Sequence, residues 1–502
     1  MRAPRILPWL PVVVFVVGSA SLGAEIAAAR LLAPWFGAST IVWANTIATV
    51  LVALSIGYAV GGRLADRNPT MLGLSRIVLV ASVLLAIVPF ISGPFLREST
   101  KAFENLSAGI FLGSLIGVGV LIAVPVLLLG MISPYAVRLQ VHGVADAGRV
   151  SGRLYAIGTV GSLTGTFLAS LLLIPVVGTR RTFLVFALAL ALVALPGLRR
   201  QRWVAGIAAL GIIGLMALPV GLTKSVTAHG TVIWEQETEY QYARVIEDSD
   251  GERRLELNEG QAVHSVYTPG EYLTGGYWDE MLVLPFAVPE APQDVAILGS
   301  AAGTTARALA HYWPDVHVDA VEIDPAVTEV GRDLFDLHGA NIATHAADAR
   351  PWLHASDRQY DAILVDAYRQ PYIPFYLTTR EFFGLVRAHL RPGGVVVINV
   401  GHPADSDTLE KVLTATMRTE FGDDHVLRDP SHPTNTMLLG TTAVDPRQHL
   451  IEASTTMPPE VADVARATAL RLQDGLDGGD VYTDDKAPVE WLVDASLAAE
   501  AE

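Results

Sequence analysis

No cysteine occurs anywhere in the 502 residues. That absence excludes disulfides, thiolate nucleophiles and Cys-ligated zinc or iron–sulfur centres as the basis of any activity. Charge is sparse as well: Asp, Glu, Lys and Arg together make up 17% of the chain, against 51% hydrophobic residues. A wholly soluble chain of this length is more polar, so part of this one is expected in a membrane. Cations are the scarcer sign, 35 Lys and Arg against 51 Asp and Glu, for a formal net charge of -16. The acidity lies mostly in the C-terminal half, which denies it the basic surface that nucleic-acid binding needs. An acidic surface suits a cationic substrate and equally serves solubility.

What the first half does contain is long apolar runs. They extend from Met1 to about Thr223, and acids, histidines and prolines return beyond Leu222–Val226. Crossing a bilayer takes about 20 apolar residues, and about seven stretches meet that need. They lie near 8–30, 41–62, 71–94, 108–132, 153–177, 181–198 and 203–222. The breaks between them carry charge or turn chemistry, as in Gly61-Gly62-Arg63 and Pro196-Gly197-Leu198-Arg199-Arg200. Gly158, Gly161 and Gly165 stand at a spacing that lets helices approach closely. The first run is too long for a cleavable signal peptide and ends without a convincing cleavage site, so none is expected. Glu25 and Arg30 fall inside it, where ionisable groups are costly, and read either as functional or as a structural ion pair. Pro125 and Ser133-Pro134 predict a kink or an end to the fourth span.

The second half opens with short strand patterns, Thr231-Val232-Ile233-Trp234, Tyr242 to Ile246 and Arg253 to Leu257, expected to form a small antiparallel sheet. A strand–turn–helix follows. Asp294 to Leu298 leads into Gly299-Ser300-Ala301-Ala302-Gly303, whose small residues allow a ligand near the backbone and a helix N-terminus. That signal is weak alone. It gains weight from Val316 to Val321, which ends in Glu322-Ile323-Asp324-Pro325; an acid there, roughly 20 residues after the turn, is placed to accept ribose hydroxyls. A third strand near Ile342–His345 precedes Asp348, and a fourth, Tyr360 to Val365, delivers Asp366. Ligands of open α/β sheets bind beyond the carboxyl ends of the strands, so three acids at three successive tips form a candidate site.

These residues resemble the spermidine synthase (polyamine aminopropyltransferase) family, and in particular its branch fused to a multi-pass membrane half. Val321-Glu322-Ile323-Asp324, Asp348, Asp366, Arg391-Pro392-Gly393-Gly394 and the stretch Ile373 to Phe383 carry the likeness, over about 230–405. The resemblance implies an N-terminal α-helical transmembrane bundle (1–224), a small β-sheet (225–290) and an α/β Rossmann-like, class I methyltransferase-like domain (291–502). It implies transfer of an aminopropyl group from decarboxylated S-adenosylmethionine to an amine such as putrescine, in polyamine biosynthesis and with no metal. Asp366 would be the catalytic acid that deprotonates the amine. Gln241, Gly299, Gly303, Glu322 and Asp348 would hold the cosubstrate, Glu322 at the ribose and Asp348 at the adenine. Asp279, Glu280 and Tyr368 would contact the acceptor.

The departures from the family pattern fall at the acceptor. Ala302 stands where the glycine-rich turn normally has an Asp, and Arg369 follows Asp366-Ala367-Tyr368 where another acid is usual. Trp278-Asp279-Glu280 replaces a Tyr-His/Gln-Glu pattern, so that Asp279 or Glu280 is expected to compensate. Two other readings follow: a methyltransferase using S-adenosylmethionine, and a non-catalytic nucleoside sensor joined to a transporter-like membrane half. The expected partners are a small amine, a lipid bilayer and, as one option, a second copy of the chain; nucleic acid is not among them. Arginines sort to alternate loops in a way that places the N-terminus in the cytoplasm. An odd number of spans would put the second half outside, yet an intracellular nucleoside argues for a cytoplasmic domain at the cell membrane. Tyr482 to Trp491 reads as a packed terminal loop or a flap over the acceptor, and His264 and His402 as structural.

Overall fold

The computed structural model describes residues 9–36, 40–103, 109–218, 230–258, 262–368, 373–404, 406–490 and 492. The chain divides into two compact units, Met1–Ser225 with Glu237–Tyr242, and Val226–Gln236 with Ala243–Glu502.

The first unit is helical because its apolar runs leave the backbone no partner but itself. Among the described residues, five helices are long and apolar enough to cross a membrane: Leu10–Phe36, Ile41–Arg67, Met71–Ser99, Phe111–Gln140 and Val144–Arg199. The sequence reading expects about seven stretches, and the difference has two physical reasons. The stretches near 153–177 and 181–198 fall in one helical run that bends at Gly178, where φ is 82°. The last stretch gives Arg202–Ala217, 16 residues and too short for the same test.

Glycine sets the closest contacts. A Cβ on Gly161 would lie 2.2 Å from the Phe15 carbonyl oxygen, and one on Gly165 2.1 Å from that of Ser19. The Ser19 hydroxyl donates to the Gly161 carbonyl at 2.8 Å across the same seam. Pro125 sits inside the helix Gly109–Gly130, and Pro134 lies in the first turn of Ile132–Gln140. Arg30 donates to the backbone carbonyl of Glu239.

The second unit holds two sheets. The smaller is antiparallel, in the order β1 (Thr231–Glu237), β2 (Tyr242–Glu247), β3 (Arg253–Leu257) and β4 (Val263–Tyr267). Its inner face, Ala243, Val245, Leu255 and Leu257, packs on Ala302, Val327, Val330 and Phe335. The larger sheet is built from β5 (Asp294–Leu298), β6 (His317–Glu322), β7 (Ile342–Ala346), β8 (Tyr360–Val365), β9 (Leu390–Gly401), β10 (Val426–His432), β11 (Asn435–Thr441) and β12 (Gln473–Asp474). Its spatial order is β12-β10-β11-β9-β8-β5-β6-β7. Strands β5 to β9 run parallel; β11 pairs antiparallel with β9, and β10 antiparallel with β11.

Strands β5, β6 and β8 and the second half of β9 are almost wholly buried, as their largely apolar runs require, whereas β7 at the sheet edge is only half-buried. One apolar layer includes Val295, Ile297, Leu364 and Val397, and the other Ala296, Leu298, Ile363 and Val396. The chain order reverses between β5 and β8, a topological switch point of the kind where such sheets bind ligands.

Candidate active site

At the switch point the chain leaves β5 through Gly299, which has φ 91°. A Cβ there would lie 2.4 Å from Ala367 Cα, so only glycine lets this turn lie against the residues that follow β8. The Asp366 N–H donates to the Leu298 carbonyl at 2.9 Å, locking the tip of β8 to the tip of β5. Gly303, φ 90°, precedes the helix Thr304–Tyr312, and a Cβ on it would strike Leu337. The turn between them also holds Ala301 at φ 45°.

Glu322 ends β6 with its carboxylate under this turn. One oxygen accepts from the Ala301 N–H and the other from the Asp324 N–H, each at 3.0 Å. Burial pushes its pKa up to about 7, and the backbone donors at Asp324 and Ala301 work against that rise. The Ala347 N–H donates to the Glu322 carbonyl at 3.1 Å and so fixes the backbone next to Asp348, two residues beyond the end of β7. Asp348 caps the helix Ala349–Ala355, its Oδ1 accepting from the Arg350 N–H at 3.2 Å. Its Oδ2 accepts from the Tyr376 hydroxyl at 2.9 Å.

Asp366 has two side-chain donors, Asn399 Nδ2 at 2.8 Å and the Tyr277 hydroxyl at 3.1 Å. Asn399 comes from β9 and is itself oriented by Asn435 of β11, whose Nδ2 donates to its Oδ1 at 2.9 Å. Burial pushes the Asp366 pKa up to about 7, opposed by those two donors. The Tyr277 phenol is held well above its usual range by burial and then by the Asp366 charge. A carboxylate poised near neutrality, fixed by two donors, is suited to accepting a proton from an incoming nucleophile.

Of the residues expected from sequence, Glu322, Asp348 and Asp366 stand at the ends of β6, β7 and β8, and Gly299 and Gly303 in the turn after β5, which lies between β8 and β6. The others are engaged elsewhere. Asp279 accepts from Thr274 N–H at 2.8 Å, its hydroxyl at 3.1 Å and Gly275 N–H at 2.8 Å, which fixes the loop before Tyr277. Glu280 binds His432 at 3.0 Å and Arg471 at 2.9 Å, and Arg471 also pairs with buried Asp429. Both carboxylates thus have partners within the fold. Tyr368 donates its hydroxyl to the Asn399 carbonyl at 3.0 Å and accepts from the Gly401 N–H, so that it braces β9. Gln241 lies in the turn before β2, its carbonyl accepting from Thr238 N–H at 2.8 Å, within a segment that belongs to the first unit. Arg369 and Trp491 lie outside the described residues.

Sequence reasoning missed Tyr277, Asn399 and Tyr376. Asn399 had a signal: it is the one polar side chain in the buried run Val395 to Val400. Two further polar atoms bear on a ligand. Ser300 Oγ, in the turn, and His264 Nε2, in β4, are buried without a hydrogen-bond partner among the described residues. Burial drops the His264 pKa to about 4, so its ring is neutral. The orphaned Ser300 hydroxyl lies in the same turn whose Ala301 N–H binds Glu322, a setting that fits a polyhydroxylated nucleoside. Ala302, by contrast, is fully buried in the cluster with Val327, Val330 and Phe335, and its N–H donates to Ser265 Oγ at 2.9 Å.

Residues 276–424 match the model of the spermine/spermidine synthase domain. A probable polyamine aminopropyl transferase of Bifidobacterium longum is 34% identical over 290 residues, 53% of this chain and 64% of that protein. A polyamine aminopropyltransferase of Mycobacterium tuberculosis is 28% identical over 424 residues, 79% of this chain and 77% of the other. One of Vibrio vulnificus is 32% identical over 165 residues, covering 32% and 54%. The chain thus spans less than two thirds of the length of the B. longum and V. vulnificus relatives. A solved spermidine synthase from Thermotoga maritima is 20% identical, covering 47% of this chain and 83% of its own, with a TM-score of 0.39.

Proposed function

We propose that the chain is an aminopropyltransferase of the spermidine synthase type, moving an aminopropyl group from decarboxylated S-adenosylmethionine to a small amine in polyamine biosynthesis. The observation that carries this reading is Asp366 at the tip of β8, oriented by Asn399 and Tyr277 and placed next to a turn that Glu322 underlies. Glu322 takes the ribose hydroxyls and Asp348 the adenine amino group, while Gly299 and Gly303 let the nucleoside reach the backbone. Gln241 is assigned to the same cosubstrate by resemblance alone.

In the transfer step Asp366 accepts a proton from the ammonium of the acceptor. The freed nitrogen lone pair attacks the methylene carbon bonded to the sulfonium, the C–S bond breaks, and its electrons neutralise the sulfur. The leaving group is the neutral thioether 5′-methylthioadenosine. Asp279, Glu280 and Tyr368 support the acceptor side indirectly, by fixing the Tyr277 loop and β9.

Residues 1–224 form the membrane domain, 225–290 the small sheet and 291–502 the catalytic domain, which faces the cytoplasm from the cell membrane. A small amine and the lipid bilayer are the proposed partners, with a homodimer as the proposed assembly. The purified full-length protein, incubated with decarboxylated S-adenosylmethionine and putrescine or other amines, should give a product heavier by three carbons and one nitrogen. No transfer to any amine would end this reading.

Methyl transfer from S-adenosylmethionine is a second reading, favoured by the apolar burial of Ala302, which leaves no acid in the turn to meet a free aminopropyl amine. A gain of one carbon in the same mass measurement would select it.

A further inference from the structure

The segment near the C-terminus does more than pack. Tyr482 is tied down at both ends of its peptide group: its N–H donates to Thr416 Oγ1 at 3.0 Å and its carbonyl accepts from the Arg380 N–H at 2.9 Å. Thr483 and Lys486 then close a tight turn through reciprocal backbone bonds of 3.1 and 3.0 Å. That turn projects Asp484, whose N–H donates to Glu381 at 3.0 Å.

The Asp484 carboxylate meets the Arg350 guanidinium through two parallel bonds of 2.7 Å and accepts from Thr379 Oγ1 at 2.7 Å. Arg350 Nη1 also donates to the Tyr376 carbonyl at 2.9 Å. The Tyr376 hydroxyl, in turn, is the donor to Asp348 Oδ2. A bidentate pair with a third partner fixes a planar guanidinium far better than a single ion pair does. The result is an unbroken polar chain from the terminal turn to the carboxylate at the tip of β7.

We infer that Asp484 is a positioning residue for the nucleoside: through Arg350 it sets Tyr376, and Tyr376 sets the orientation and remaining hydrogen-bonding capacity of Asp348. Arg350 is held in its charged form by Asp484, and the Asp484 carboxyl lies below the usual range because of Arg350. The relay rests on the reading of Asp348 as the adenine contact. With Tyr376 occupying Oδ2, Asp348 presents a defined lone pair to an exocyclic amino group; with Tyr376 released, its carboxylate can turn away. A loop that merely tied the terminus down would affect folding and not the nucleoside.

The test uses the full-length protein in detergent, with 5′-methylthioadenosine as calorimetric probe and transfer kinetics alongside. Asp484→Asn keeps the shape and an acceptor for Thr379 but removes the charge that holds Arg350. It should weaken probe binding about tenfold, the scale of one lost charged hydrogen bond. The cosubstrate KM should rise by a similar factor, with kcat within about twofold and the amine KM unchanged. Arg350→Lys keeps the charge, loses the fork and should behave alike, so it reports if Asp484→Asn does not fold. Combining Asp484→Asn with Tyr376→Phe should weaken binding no more than the stronger single variant, since both break one chain.

Wild-type probe affinity in a folded Asp484→Asn or Arg350→Lys variant would overturn the inference, as would additive losses in the double variant. So would a fall in kcat and thermal stability with the cosubstrate KM unchanged. A wild-type protein that binds no nucleoside would instead overturn the proposed function, and this relay with it.

Discussion

The Asn399 side-chain amide and the Asp366 carboxylate lie 2.8 Å apart at the ends of adjacent parallel strands. The pair sets the protonation state of the acid. Burial lifts its pKa to about 7 while the Asn399 and Tyr277 donors pull it down. Replacing Asn399 by leucine removes one donor at similar volume and should lift the pKa further. In a pH–rate series the acidic limb of wild type should fall near 7, and that of Asn399→Leu about one unit higher. Coincident limbs would show that Asn399 has no hold on the acid.

Asp366 itself should be indispensable to the chemical step. As a base it works ionised, so the rate should climb as pH rises through about 7 and level off above. Asp366→Asn keeps both donors' geometry but cannot take a proton. It should lower kcat by about 10²–10⁴-fold while 5′-methylthioadenosine still binds. A variant retaining near wild-type kcat would assign proton removal to another group.

Much of this site is legible in the sequence, and the limits of that legibility are physical. Strands β5 and β8 can be read to the residue because they are largely buried, mostly apolar runs bounded by turn chemistry. Glu322, Asp348 and Asp366 follow, since each stands at the end of such a run. The direction of a side chain is another matter. Trp278-Asp279-Glu280 supplies two acids in the right neighbourhood, but Thr274 and Gly275 claim one and His432 and Arg471 the other. Tyr277 reaches Asp366 across 89 positions, and Asp484 reaches Arg350 across 134, contacts that no local pattern announces. The apolar stretches were legible by length and composition, as was the break after residue 177, where Gly178 takes φ 82°; that the helical run continues through it was not.

Glu322 and Asp366 should also shape stability against pH. Burial raises both folded pKa values from the ordinary carboxylate range to about 7. Between roughly pH 4 and 7 the folded chain therefore keeps protons that the unfolded chain has shed. Their contribution is fully present below about pH 4 and is lost as pH rises to about 7. Glu322→Gln removes one such group, so the decline in melting temperature from pH 5 to 8 should flatten. At pH 8 the variant should match or exceed wild type by on the order of 1 kcal/mol, while losing nucleoside affinity. An equally steep decline would mean that the buried carboxylate is not what titrates.

Gly299 offers a test of the switch-point geometry. Alanine there meets a positive φ of 91° and a backbone contact of 2.4 Å with Ala367. Backbone strain of this kind costs on the order of 1–3 kcal/mol, and the turn can relieve it only by pushing the tip of β8 outward. Gly299→Ala should therefore lower the melting temperature and, in the fraction that folds, cut kcat through displacement of Asp366. A stable, fully active variant would show that the turn does not abut β8.

The absence of cysteine makes sidedness directly measurable. Any single introduced thiol is the only one in the chain, so an impermeant maleimide reports one position without background. Asp250 is exposed in the hairpin between β2 and β3, and its replacement leaves the strand pairing Glu247↔Arg253 untouched. A cytoplasmic catalytic domain predicts that Asp250→Cys stays unlabelled in intact cells and reacts once the membrane is permeabilised. Labelling in intact cells would put the domain outside, away from the pool of intracellular nucleosides. It would require either a supply of cosubstrate on that side or a different ligand for Glu322 and Asp348. Arginine placement and cosubstrate supply pull in opposite directions here for an odd number of spans, and the thiol decides between them with a single residue.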